Sequence, residues 1–301
     1  MNMDINSFGM GLPLPATPGP RKPRLALMGE FSAGKSTLAN LLVGASQLPV
    51  QVTATQLPPV WLSQGTSPPF RVDLQGKSIP VSLARLEDVP IAETACIRIF
   101  GTSATLAQCD IIDMPGISDP NMPAAIWQRI LPLADGVIWC THATQAWRQS
   151  ESAIWATMTP ELQQRSLLLL TRIDKILSDR DRSRVIKRVS KETDGLFAGP
   201  CLPVSLTQAI AAVPDSPAFA SAGAAEVMAR LADLIELIRG DLGHPVMAPT
   251  AASPSPAPAF AVLPRRIRLE AALSTPTPRP VSTLADPQII AFRSARRPDP
   301  Q

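Results

Sequence analysis

Residues 29 to 37 read Gly29, Glu30, Phe31, Ser32, Ala33, Gly34, Lys35, Ser36 and Thr37, the spacing G-x-x-x-x-G-K-S that lets a chain grip a polyphosphate. Glycines at 29 and 34 allow the backbone to curl so that successive N–H groups face an anion, and a helix beginning at Lys35 adds its positive end. Lys35 is placed to reach the β- and γ-phosphates, and the Ser36 hydroxyl to serve as a ligand of Mg2+. The context agrees: the short apolar run Leu25-Ala26-Leu27-Met28 comes directly before the loop, and Leu38, Leu41, Leu42 and Ala45 recur afterwards at helical spacing. The implied ligand is a nucleoside triphosphate.

Two later stretches bear on which one. Asp113-Met114-Pro115-Gly116 is a D-x-x-G sequence at the exit of the apolar-rich Cys109-Asp110-Ile111-Ile112. An aspartate there holds Mg2+ through water, and the Gly116 N–H can sense a γ-phosphate. Thr171-Arg172-Ile173-Asp174 follows Ser166-Leu167-Leu168-Leu169-Leu170, whose unbroken hydrophobicity reads as a buried parallel strand. A carboxylate at its exit can accept from the two adjacent N–H groups of guanine, an arrangement adenine does not offer. By analogy with base readout in nucleic acids such a contact discriminates by about 1–3 kcal/mol. GTP and GDP are therefore the expected ligands, and an ATP reading survives only if Asp174 is not at the base.

The elements that must carry these loops alternate. Strands are expected near 24–28, 60–63, 70–74, 95–100, 109–113, 136–141, 166–171 and 201–205, and helices near 35–44, 122–133, 148–158, 179–193 and 224–239. That alternation implies an α/β fold, a three-layer phosphate-loop GTPase domain with a mostly parallel sheet and helices on both faces. The stretch from about 63 to 95 is expected to add an antiparallel edge, with Gln75-Gly76-Lys77 as its hairpin turn. All the named loops then leave the carboxyl ends of strands, where ligands of such sheets bind.

The ordered set resembles the GTPase domain of the dynamin superfamily, most of all its bacterial dynamin-like branch, over about residues 24 to 240. Residues 29–36 resemble the bacterial form of the phosphate loop, and Leu48 to Pro58 resembles the first switch. That match places the Mg2+-binding switch threonine at Thr55, with Thr53 as the nearby alternative. Pro203-Val204-Ser205-Leu206 resembles the weak last element, so Ser205 and Leu206 would close over the base. The resemblance also implies how water is attacked without the glutamine of Ras-type GTPases, whose position here is Ile117. Relatives use phosphate-loop residues (Ser32 here), a monovalent cation and dimerisation across the nucleotide face. Lys35, Thr55 and Gly116 complete the expected catalytic set. Departures are Phe31, where eukaryotic members have glutamine, and Arg172, where the family usually has lysine; the arginine stem could still cover the guanine face. Turnover by such a site alone is expected on the order of 10⁻⁴ to 10⁻² per second, rising on assembly. The implied partner is a nucleotide-dependent second copy, or a related dynamin-like or helical protein.

Composition frames the domain. Residues 1–23 and 241–301 are rich in proline and read as disordered ends, leaving no length for the helical stalk of membrane-remodelling relatives. From residue 245 on, seven arginines and three acids give a net +4 against +3 for the whole chain, so all that precedes carries −1. The mixed stretch Leu263 to Leu273 reads first as a solvated tail kept soluble by its arginines, and second as a segment that folds on an anionic membrane or an acidic partner. The basic segment 180–191 interleaves acids and has an apolar inner face, so it reads as an ordinary covering helix. Without an aromatic platform beside the charge, no nucleic-acid partner is indicated. Residues 1–23 do not read as a signal peptide, and the longest aliphatic run, near Leu167, is far short of about twenty residues, so the expected location is cytoplasmic, peripheral at a membrane's inner face if the tail binds there. Cys96, Cys109, Cys140 and Cys201 read as buried thiols. His142 and His244 show no partner at metal-ligand or catalytic spacing. The five tryptophans read as apolar core or surface groups. Two other functions stay open on these residues: a GTP-dependent ribosome or ribonucleoprotein assembly factor, and a GTP-binding scaffold that no longer hydrolyses.

Overall fold

The computed structural model describes residues 21–44, 57–119 and 122–243, all within one compact unit. Thr53 and Thr55, the Pro-rich beginning of the chain and the Arg-rich stretch after residue 243 lie outside the described residues.

Among the described residues nine strands form one sheet. They are β1 (Arg24–Gly29), β2 (Val60–Gln64), β3 (Phe70–Asp73), β4 (Ser78–Pro80), β5 (Thr94–Gly101), β6 (Asp110–Asp113), β7 (Gly136–His142), β8 (Ser166–Thr171) and β9 (Leu202–Val204). Their order across the sheet is β4-β3-β5-β2-β6-β1-β7-β8-β9. From β6 to β9 every pairing is parallel. β2 then runs antiparallel to β6 and parallel to β5, and β3 and β4 complete an antiparallel edge. The turn at Gln75–Lys77 joins β3 and β4, and Asp73 ties it by accepting from the Gln75 and Lys77 amides. β1 sits between β6 and β7, so the chain leaves to opposite sides on either hand of it. That is the switch point at which open α/β sheets present a crevice.

The helices are α1 (Lys35–Val43), α2 (Ala104–Gln108), α3 (Ala125–Gln128), α4 (Gln149–Trp155), α5 (Pro160–Gln164), α6 (Asp179–Glu192), α7 (Leu206–Ala211), α8 (Pro217–Ser221) and α9 (Ala224–Asp241). Strand alternation splits the core in two. Leu25 and Leu27 face α1 and α9 through Leu38, Leu42, Leu231 and Ile235. Ala26 and Met28 face Trp61, Trp139 and Trp155 on the other side. Both faces are covered, which gives three layers.

Some element bounds differ from expectation, each for a local reason. The helix expected over 122–133 is a short α3 followed by a 3₁₀ turn at Leu131–Leu133, because Pro132 cannot donate and its ring opposes a continuous helix. β4 contains Pro80 and is an edge strand, where a missing donor is tolerated. Contacts with the sheet continue ahead of β1. Arg21 holds the Asp135 carboxylate with both terminal nitrogens at 2.6 and 2.7 Å, and Lys22 donates to the Leu106 carbonyl.

Candidate nucleotide site

The phosphate loop is shaped by its glycines and its neighbours. Gly29 has φ 138°, and a Cβ there would stand 2.1 Å from the Cys140 carbonyl oxygen, so β7 leaves room for nothing larger. Gly34 has φ 94° and caps α1. Ser32 and Arg172 are both non-glycine residues in the left-handed region, at φ 58° and 55°. They meet: the Arg172 guanidinium donates to the Ser32 carbonyl at 2.9 Å. Strained backbone held by a cross-chain hydrogen bond is the pattern of a pre-set site.

Lys35 is 7% exposed, and its ammonium group donates to the Gly29 and Glu30 carbonyls at 3.1 and 2.8 Å. Burial lowers its pKa, and the nearby Asp113 charge is the chief opposing influence. The converse holds at Asp113: burial raises its pKa, while a hydrogen bond from Ser36 and the charge of Lys35 oppose the rise. Asp113 Oδ1 is buried without a hydrogen-bond partner. One unpaired carboxylate oxygen beside a serine hydroxyl is a hard-oxygen pair suited to Mg2+. Among the described residues no cluster of three His, Cys, Asp or Glu side chains could hold a metal alone. An Mg2+ ion there would draw its other ligands from phosphate oxygens, water or residues outside those described.

The D-x-x-G segment lies directly on the phosphate loop. Gly116 is buried, and a Cβ there would come 2.8 Å from Phe31 Cα and 2.9 Å from Phe31 N. The Ile117 amide donates to the Gly29 carbonyl, and the Phe31 amide to Ser118 Oγ at 3.2 Å. The Ile117 side chain packs toward the tryptophan-rich core, so it is turned away from water chemistry as well as being aliphatic. Phe31 itself is 60% exposed.

One cleft gathers most of the expected residues: Phe31, Ser32, Gly34, Lys35, Ser36, Thr37, Asp113, Gly116 and Arg172 line it. Asp119 and Met122 line it too and went unread in the sequence, since neither belongs to a spaced motif. Thr171 lies beneath the loop, donating from Oγ1 to the Ala33 carbonyl at 2.8 Å and the Thr141 carbonyl at 3.1 Å. Leu206, at the start of α7, reaches the loop: its Cδ1 would be 3.2 Å from a Cβ at Gly34. Ser205 is buried beside it, with Oγ unpartnered. Asp174 lies outside the cleft lining, in the 3₁₀ turn Ile173–Lys175, its carboxylate 3.9 Å from Lys175 Nζ. His142 does have a partner, contrary to its bare sequence context. Its Nδ1 lies 3.2 Å from the Thr144 amide and 2.9 Å from Thr144 Oγ1.

The switch-point crevice, the phosphate loop before α1 and the D-x-x-G segment at the end of β6 together define a P-loop GTPase domain. The comparisons place it further. Residues 25–173 match the model of the dynamin family, and the chain carries a dynamin-superfamily GTPase domain. It is 24% identical over 161 residues to Dynamin-like protein 2 of Campylobacter jejuni, a match covering 52% of this chain and 26% of that protein. It is 30% identical over 123 residues to the isoniazid-induced protein IniC of Mycobacterium tuberculosis, covering 38% of this chain and 25% of that one. The chain thus spans about a quarter of the length of the curated relatives it matches. In fold it is similar to an oligomerised bacterial dynamin pair described as a mechanism for long-range sensing and tethering of membranes. That likeness has a TM-score of 0.56 at 17% identity, over 74% of this chain and 36% of the other.

Proposed function

We infer that this chain binds GTP with Mg2+ in the cleft above β1 and hydrolyses it, switching surface as the nucleotide changes. The observation that carries the reading is the meeting of Lys35, Ser36 and the unpaired Asp113 oxygen under a curled, glycine-shaped loop. Loop amides and the α1 terminus receive the β-phosphate, and Lys35 moves charge onto the β,γ bridge. Asp113 and Ser36 would hold Mg2+, with Thr55 from the first switch, and the ion would neutralise charge on the phosphate oxygens. Gly116 reads the γ-phosphate through its amide, and Ser32, which lines the cleft, would act from the loop on the attacking water. Asp174 selects guanine, with Ser205 and Leu206 closing the base site. Arg172 in this reading serves the loop first, through the Ser32 carbonyl, and the base second.

With Ile117 unable to orient water, turnover by one molecule is slow and rises when two copies meet across the nucleotide face, where Phe31 stands exposed. The working unit is a switch or assembly element, acting at a membrane through a partner or its own arginine-rich end. Among the described residues no helix is long and apolar enough to cross a membrane. The test is calorimetry with GTP, GDP and ATP in Mg2+, followed by turnover measured across protein concentration. Guanine-selective heat and a rate per molecule that climbs with concentration support the reading. Equal heat for ATP overturns the base assignment, and flat near-zero turnover replaces hydrolysis with a GTP-binding scaffold.

A further inference from the structure

The second residue of the phosphate loop is tied to a distant element by its side chain. Glu30 Oε2 accepts from Arg148 Nη1 at 2.9 Å, and Glu30 Oε1 accepts from Ser150 Oγ at 2.6 Å. Arg148 immediately precedes α4, and its backbone amide donates to the Glu151 carboxylate at 2.9 Å. Glu151 is buried, and it also accepts from Trp139 Nε1 and Thr141 Oγ1. The tie therefore ends on an anchor fixed inside the core. At its other end, the Glu30 carbonyl is the acceptor for Lys35 Nζ at 2.8 Å and for the Ala33 amide at 3.2 Å. Where the Glu30 carboxylate is held, the peptide under Lys35 is held too.

We propose that Glu30 is a positioning residue, and that Arg148 acts with it to lock the phosphate loop in its anion-receiving shape. The Arg148 side chain is 45% exposed and that of Glu30 15%, and an ion pair open to water on its arginine side contributes modestly to global stability. Its effect falls on the geometry of one loop. A loop pinned before the ligand arrives loses less freedom on binding, so the tie appears as affinity. The proposal rests on the nucleotide-binding reading for one of its two readouts and is independent of it for the other.

The experiment uses the full chain with Glu30→Ala, Arg148→Ala, the double variant and the conservative Glu30→Gln. By calorimetry with GDP in Mg2+, each alanine variant is expected to bind about tenfold more weakly, which corresponds to about 1.4 kcal/mol. The double variant binds no more weakly than Glu30→Ala alone, because that change already removes the Arg148 contact together with the Ser150 one. Glu30→Gln, which keeps an acceptor oxygen, recovers most of the affinity. The second readout is hydrogen exchange of the peptide covering residues 29–36 without nucleotide, expected to quicken in both alanine variants, and no less in Glu30→Ala, which also loses the Ser150 bond, while the melting temperature stays within about 2 °C. Additive losses, or loop exchange equal to the parent, overturn the proposal. A parent that binds no guanine nucleotide sinks the functional reading instead, and the exchange experiment still decides this one.

Discussion

At Gly116 the side chain is a single hydrogen, and the neighbouring backbone shows why. Phe31 Cα and N would stand 2.8 and 2.9 Å from any Cβ, closer than real contacts allow, and neither atom belongs to a flexible side chain. Gly116→Ala is therefore expected to push the D-x-x-G segment off the phosphate loop and loosen the Ile117 amide from the Gly29 carbonyl. Losing one amide contact to a γ-phosphate costs about 1.4 kcal/mol, so GTP affinity should fall about tenfold while GDP affinity changes less. Fluorescent-nucleotide titration of both ligands checks it, and an equal fall for GTP and GDP would show that Gly116 does not read the third phosphate. Asp174 makes a separate prediction. Asp174→Asn exchanges one acceptor for a donor and should move preference from guanine toward xanthine nucleotides, whose base carries the complementary acceptor. Competition between GTP and XTP measures this, and an unchanged preference removes Asp174 from the base site. Both residues stand out in the sequence because each belongs to a motif of fixed spacing after an apolar strand, and the structure sets Gly116 in the cleft lining and Asp174 outside it. Glu30, Arg148 and Ser150 were not legible as a group. Arg148 and Ser150 lie 118 and 120 positions from Glu30, and only the return of the chain after β7 brings α4 to the loop.

Elements explain which parts of the fold could be anticipated. β8 is buried at every position, so its hydrophobic run announces itself, and the β1 and β6 strands are read as easily because each feeds a motif. α2, α7 and α8 span only five or six residues, too few for a helical period to emerge. The polar support of α4 was hidden for another reason: a glutamate in a surface-looking segment gives no sign that it is 2% exposed. Glu151 accepts from Trp139 Nε1, Thr141 Oγ1 and the Arg148 amide, and Thr141 Oγ1 in turn accepts from the Trp147 amide. Burial raises the pKa of its carboxyl, while these hydrogen bonds oppose the rise. Glu151→Ala would leave buried donors unpaired at about 1–3 kcal/mol each, so a loss of about 3 kcal/mol or more is expected. Glu151→Gln keeps the volume and one acceptor, losing a single bond, and should cost about 1 kcal/mol. Urea unfolding monitored by tryptophan fluorescence separates the two. Equal small losses would show that the α4 start is not anchored through this carboxylate.

At alkaline pH the fold responds through groups that the nucleotide chemistry does not use. Cys96, Cys109, Cys140 and Cys201 are all buried free thiols, placed in β5, just before β6, in β7 and just before β9. Burial pushes Cys96 up to about 11 and the other three up to about 12, against an ordinary value of 9.0. The folded chain thus keeps thiol protons that the unfolded chain has already released above pH 9. Where the unfolded state binds fewer protons, stability falls as pH rises, so the thiols act against the fold from about pH 9 up to about pH 12 and are silent below. The two faces of the sheet share this burden, since Cys109 and Cys140 pack on the α1 and α9 side and Cys96 and Cys201 on the tryptophan side. Alkaline denaturation should therefore steepen above pH 9. Replacing Cys140 by Ala should flatten it, although the smaller side chain lowers stability at pH 7 through the cavity it leaves. Unfolding free energies at pH 7, 9 and 10.5 for parent and variant give the comparison. A maleimide-type reagent at pH 7.5 supplies the independent check, because four inaccessible thiols should label only after unfolding; rapid labelling of the native chain would mean that the sheet opens far more readily than its packing implies.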